Sequence, residues 1–270
     1  MQHPSSSQAK EMAHESMVRN LAAQAEAIWP QEEPVFSRHP IGSGSVLDVG
    51  CGTGEITERL AAKYPRASFV GIDLEERHLD RARQRCASLG TRVRFQVGDA
   101  LAMPFPDEQF DRVVCRHLLQ AVPDATKVLK EIRRVLRPGG RAHLIAEDYG
   151  MLWCHPTELG SDGFWQVIPW RYEAFAGCDL HIGRKMFTIL SDLQMRDINV
   201  DYIVVDTVRV PRDTFARIWE AWRDGYSDAL VASGVPRDEV ERRFREIIAC
   251  ARDPRGYALW QVPLWTCARP

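Results

Sequence analysis

Val46-Leu47-Asp48-Val49-Gly50-Cys51-Gly52-Thr53-Gly54 is the stretch on which the fold of this chain turns. Val46, Leu47 and Val49 make a short buried strand, and the residues that follow open a helix. Glycines at 50, 52 and 54 permit a tight turn in which backbone approaches a ligand with no Cβ in the way. The helix starting near Glu55 directs free N–H groups at the same space. A second strand, 68–72, runs into Asp73, the expected place for a carboxylate that grips a ribose diol.

Any adenosine-bearing cofactor fits this much, and the glycine spacing narrows it. A dinucleotide fingerprint reads G-x-G-x-x-G, its third glycine packing helix against strand beside a pyrophosphate. Here the run is G-x-G-x-G, with Glu55 in the third glycine's place. A carboxylate repels a pyrophosphate, whereas beside a cationic tail it is tolerated or favoured. An NAD-linked oxidoreductase is therefore disfavoured. The stretch resembles motif I of the class I S-adenosylmethionine (SAM) methyltransferases.

Outward from this stretch the periodicity alternates: strand 46–49, helix 54–63, strand 68–72, helix 75–88, strand 92–97, strand 110–115, helix 124–136, strand 141–147. Such alternation implies an α/β fold with a doubly wound parallel sheet. Ligands of these sheets sit outside the carboxyl ends of the strands. Pro104-Phe105-Pro106-Asp107-Glu108-Gln109-Phe110-Asp111 and Leu136-Arg137-Pro138-Gly139-Gly140 strengthen the likeness. They look like the ubiquinone/menaquinone-biosynthesis (UbiE-like) branch of small-molecule methyltransferases, over about residues 45–150. Pro138-Gly139-Gly140 also has a physical meaning of its own, ending a helix and reversing the chain.

The resemblance implies a Rossmann-like, seven-stranded, mostly parallel sheet with an antiparallel last strand, and SAM as cofactor. It implies cofactor contacts from Asp48, Gly50, Cys51, Gly52, Asp73, Leu74, Gly98, Asp99, Ala100 and Arg116. Asp99 would accept from the adenine amine, with the next N–H meeting the ring. Read from its chemistry alone, Asp99 serves as well as an N-cap.

His117, Glu147 and Tyr149 are the catalytic candidates, because they follow strands four and five. His117, as an imidazole, suits a base; bonding to backbone beside the cofactor is the alternative. Glu147 could attract an amine acceptor or be a solvated loop acid. A base is needed only for an acceptor that arrives protonated. His155 is a weaker candidate. Cys115-Arg116-His117-Leu118 stands where amino-methylating enzymes resembling this family carry Asn/Asp-Pro-Pro-Tyr, so nucleic-acid and protein amino groups are not the expected acceptors.

A net charge of −2 and a pI near 6.5 lack the basic excess of a nucleic-acid binder. No apolar run is long enough to span a bilayer, and Met1–Lys10 has no signal-peptide core. Seven cysteines without a C-x-x-C pair and eight histidines without an H-x-x-x-H predict reduced thiols and no metal, in a cytoplasmic protein.

The expected organisation is an N-terminal helix and linker (1–44), a SAM-binding core (45–150), and cap insertions plus closing strands (151–270). In the first part, Met17, Val18, Leu21, Ala25, Ile28 and Trp29 predict a helix over 12–29, ended by Pro30, before a linker to Ser45. That helix could cover the cofactor mouth or simply pack. Seven of the eight tryptophans lie beyond residue 150. There 151–178 reads as a loop-rich, aromatic cap, 183–194 as a helix and 197–208 as a strand. Two inserted helices, 212–232 and 236–251, precede a last strand at 257–267. The function expected is methyl transfer to an N, O or C atom of a small aromatic or amine-containing metabolite. A methyltransferase acting on RNA or protein and a non-catalytic SAM-binding protein are the alternatives.

Overall fold

In the computed structural model, which describes residues 15–157 and 161–270, helix α1 spans Glu15–Arg38. Met12, the expected start, lies outside the described residues. The expected stop at Pro30 and the linker after it are corrected, because α1 continues through Pro30 and Pro34. A proline inside a helix costs about 3 kcal/mol. Ile28, Glu32, Val35 and Phe36 nevertheless repeat at helical spacing across both prolines, and all four are buried. Burying the three apolar ones at roughly 1.5–3 kcal/mol each offsets the break. Phe36 stacks on His143 with ring centroids 3.8 Å apart. Arg38 holds Asp201 through two bonds of 2.7 and 2.9 Å.

Strands and helices then alternate as β1 (Ser45–Val49), α2 (Glu55–Lys63), β2 (Ser68–Asp73) and α3 (Glu76–Arg85). β3 (Val93–Val97), β4 (Phe110–Arg116), α4 (Ala125–Val135) and β5 (Leu136–Ile145) follow. The helix expected over 75–88 ends at Arg85, and a short 3-10 stretch leads into β3 past Gly90 at φ 66°. β5 begins five residues earlier than expected, directly after α4, so the Pro138-Gly139-Gly140 turn is a feature of the strand. A Cβ on Gly140 would sit 2.8 Å from the Arg137 carbonyl oxygen, which only glycine avoids.

Beyond β5 come β6 (Leu152–His155), α5 (Ser161–Ala176), α6 (Ile182–Asp192) and β7 (Arg196–Asp206). α7 (Arg212–Ala232), α8 (Arg237–Arg252) and β8 (Tyr257–Ala268) complete the chain. The loop-rich reading of 151–178 is corrected by β6 and α5. Phe164, Trp165, Ile168 and Tyr172 are buried at helical spacing, a period that Gly163 and Pro169 obscure in the sequence.

The sheet has eight strands in the order β3-β2-β1-β4-β5-β8-β6, with β7 also on β8. β1 to β5 are parallel; β8 runs antiparallel to β5 and β6. β6 is the strand beyond the seven expected. The chain divides into two compact units. One comprises the described residues to Glu32, Asp148–His181 and Ile203–Val262; the other comprises Glu33–Glu147, Ile182–Tyr202 and Pro263–Pro270. Leu47, Ile72, Val113, Leu129, Ile132 and Leu144 centre the core of the second unit. The first unit packs around Phe215, Trp219, Phe244 and Trp260. Among the described residues no helix is long and apolar enough to cross a membrane.

Phe36→Ala should lower unfolding free energy by about 3–5 kcal/mol in a urea titration, the cost of emptying a buried aromatic site. A loss below 0.5 kcal/mol, the scale of an ordinary surface position, would restore the linker reading.

Candidate functional site

β1 lies between β2 and β4, so the strand order reverses at its carboxyl end, where open α/β sheets take their ligands. Gly50, Gly52 and Gly54 there have φ of 68°, 52° and 79°, a region that side chains disfavour. The N–H groups of Gly50 and Cys51 both donate to the Ile72 carbonyl, at 2.8 and 3.0 Å. The Gly52 N–H donates to Asp73 Oδ2 at 2.9 Å. A Cβ on Gly50 would come within 3.1 Å of the Leu118 side chain. The turn is thus tied to the end of β2 and covered from the segment after β4.

Asp73 also accepts from the Glu75 N–H at 3.0 Å. Leu74, 59% exposed, and Val97, 52% exposed, lie beside it, Val97 directly in register on β3. Gly98 donates its N–H to the Asp73 carbonyl at 3.1 Å. Asp99 is exposed, and its Oδ1 accepts from the Leu101 N–H at 2.8 Å; Ala100 is buried. Val97 is absent from the residues expected after the strands, because it lies within β3 and only its register opposite Asp73 brings it here.

Asp48 is buried within β1 and accepts from the Thr57 hydroxyl at 2.5 Å, fastening α2 to the strand. Burial, reinforced by the Asp48 charge, pushes the Cys51 thiol well above its ordinary range. Burial also raises the Glu55 carboxyl, against the pull of Arg85, whose guanidinium lies 2.5 Å away. Glu55 is thus paired within the protein. Thr57 was likewise not singled out, since nothing in the local pattern marks a helix hydroxyl as the partner of a strand acid.

The structure brings two of the three catalytic candidates together. His117 Nδ1 lies 2.5 Å from Glu147 Oε1, and the side chains are 8% and 1% exposed. His117 has φ of 55°, uncommon for a residue with a side chain, and its N–H donates to the Ile145 carbonyl at 3.2 Å. Such backbone outliers cluster at functional sites. Arg116, half-buried, is the last residue of β4. Tyr149 belongs to the first unit, where its ring lies 5.4 Å from that of Trp222. His155 is exposed at the end of β6.

Metal-ligand types gather once among the described residues, at Glu173, Asp179 and His181, within 4.8 Å of one another. Hydrogen bonds inside the group account for it: His181 Nδ1 lies 2.7 Å from Glu173, and its N–H donates to both acids at 3.1 Å.

Residues 46–140 match a family model described as a methyltransferase domain. Over 100 residues the chain is 44% identical to the ubiquinone/menaquinone biosynthesis C-methyltransferase UbiE of Desulfotalea psychrophila, covering 37% of this chain and 40% of that protein. The first curated relatives are spanned over only about 40–56% of their own lengths. A Haemonchus contortus phosphoethanolamine N-methyltransferase 2 in complex with SAM has the same fold at a TM-score of 0.62 and 19% identity, over 98% of this chain and 59% of that one. So does the 4+2 cyclase SpnF, at 0.62 and 21% identity, over 98% and 96%.

Thr57→Val should destabilise the protein by about 1–3 kcal/mol, because a buried carboxylate loses a donor. Guanidinium unfolding of the variant checks this; an unchanged midpoint would remove the Thr57–Asp48 bond from any structural role.

Proposed function

We propose, from the premise that residues 46–140 form a class I SAM methyltransferase domain of the UbiE-like kind, that the protein moves a methyl group from SAM to an N, O or C atom of a small metabolite. The observation that carries this reading is the Asp73 carboxylate, held against the glycine turn by the Gly52 N–H. A carboxylate has about four acceptor directions. Two here meet backbone N–H groups, at Gly52 and Glu75, and the others suit a ribose diol. Leu74 and Val97 supply apolar contact for adenine, and Asp99 an acceptor for its amine. The remaining contacts we assign to Asp48 near the end of β1, to the turn (Gly50, Cys51, Gly52), to Gly98 and Ala100, and to Arg116. The residues present therefore fit the cofactor. A functional division follows, with 45–150 holding SAM and 151–270 selecting the acceptor.

SAM, when bound, supplies a sulfonium methyl that needs no further activation. The chain's own part is to orient the acceptor and exclude water. Glu147 fixes the His117 ring through Nδ1, which leaves Nε2 as the basic nitrogen for an acceptor that arrives protonated. Tyr149 we assign to acceptor binding within the first unit. The acidic balance supports a small-molecule acceptor over nucleic acid, and the seven unbridged cysteines support a cytoplasmic setting.

Radiolabelled SAM offered with phenols, amines, carboxylates and total RNA tests the function directly. Label should enter a small molecule; label in RNA would move the acceptor class, and binding without any transfer would favour the non-catalytic alternative. Asp73→Ala should weaken SAM binding by about 1.5–3 kcal/mol in calorimetry, the value of a hydrogen bond to a charged group. Unchanged affinity would remove Asp73 from the ribose site. His117→Ala should lower turnover on an ionisable acceptor and leave SAM affinity intact. Equal losses in both would reassign His117 to the cofactor.

A further inference from the structure

The first unit contains a cavity of about 60 Å³ that opens to solvent at its mouth. Six rings line it: Tyr149, Trp165, Tyr172, Trp222, Tyr226 and Phe244. Ile168, Pro169, Leu180 and Leu230 complete the wall, so no charged side chain lines it among the described residues. The enclosed part alone is smaller than a ring-bearing molecule, but the cavity opens to solvent, so a bound molecule can extend through the mouth.

An aromatic wall can receive either a cation or a neutral apolar body, and the ring geometry distinguishes them. A cation needs the negative face of a ring. Trp165 and Phe244 meet at 63° with centroids 5.0 Å apart, and Tyr172 and Tyr226 at 89° and 6.0 Å. Trp222 meets Trp219 at 71° and Trp260 at 77°. In each pair one ring's positive edge covers the other's face, the arrangement that satisfies both quadrupoles. Part of the surface a cation requires is therefore already covered. The aliphatic wall offers a cation nothing, and among the described residues no carboxylate in the lining compensates its lost hydration. A neutral, flat, largely hydrocarbon body meets none of these penalties and gains from leaving water.

We infer that this cavity binds the apolar body of a neutral, ring-bearing small molecule and discriminates against protonated amines and quaternary ammonium compounds. As the class of methyl acceptor this rests on the methyl-transfer reading above; as a binding site it stands apart from it.

The test uses the full chain without cofactor and N-phenyl-1-naphthylamine, a fluorophore uncharged at neutral pH. Saturable one-to-one binding is expected, with quenching of tryptophan emission. Leu230→Trp, which fills the cavity, should weaken it at least tenfold while calorimetric SAM affinity stays unchanged. Ile168→Phe replaces that variant if circular dichroism shows it unfolded. Benzyltrimethylammonium should not displace the probe at equal concentration. Absence of saturable binding, equal affinity in a folded filled variant, or displacement by the ammonium would each overturn the inference. Probe binding as expected in a protein that binds no SAM would support the cavity and overturn the methyl-transfer reading instead.

Discussion

The bond from the Gly52 N–H to the Asp73 carboxylate is the constraint on which the site depends. It joins the turn after β1 to the end of β2, and it does so with an acid that the ribose reading also requires. The turn can reach Asp73 only because three of its residues adopt positive φ, which glycine does without a Cβ penalty. Gly71, one strand over, obeys a related constraint: a Cβ there would lie 2.6 Å from the Phe95 ring and 2.8 Å from the Cys51 sulfur. Small residues in the turn and on β2 thus let backbone and ring pack closely.

A second buried polar assembly stands at the neighbouring strand ends. His117 and Glu147 follow β4 and β5, which pair in parallel through Cys115–Leu144 and Arg116–Ile145. Parallel pairing sends both chains out of the sheet on the same side, so residues just past the two ends can meet. The left-handed backbone at His117 then aims the ring toward the carboxylate rather than continuing the strand. A buried carboxylate is costly unless partnered, and Glu147 has the imidazole as its partner.

Fold likeness alone does not choose the chemistry. A methyltransferase and a cyclase share this architecture with the chain to the same degree, and a common fold hosts many reactions. Function on a shared fold resides in the chemistry of its sites. In this chain that chemistry is an acid beside a glycine turn, a histidine–carboxylate pair, and in the first unit an uncharged wall of rings.

Local chemistry was enough to read the alternation of β1 to β5 with their helices, the glycine turn and the acid after β2, because each signal lies within a few residues of chain. Helices 212–232 and 236–251 were legible for the same reason, their apolar period being unbroken. Tertiary structure alone decided that α1 survives two prolines, since the compensation comes from Phe36 on His143, over a hundred residues away. It alone paired His117 with Glu147 and Asp48 with Thr57, and added β6 to the sheet through β8. Propensity and periodicity act along the chain, whereas a buried partner is fixed only when distant segments pack and leave a polar group or an aromatic face nowhere else to go.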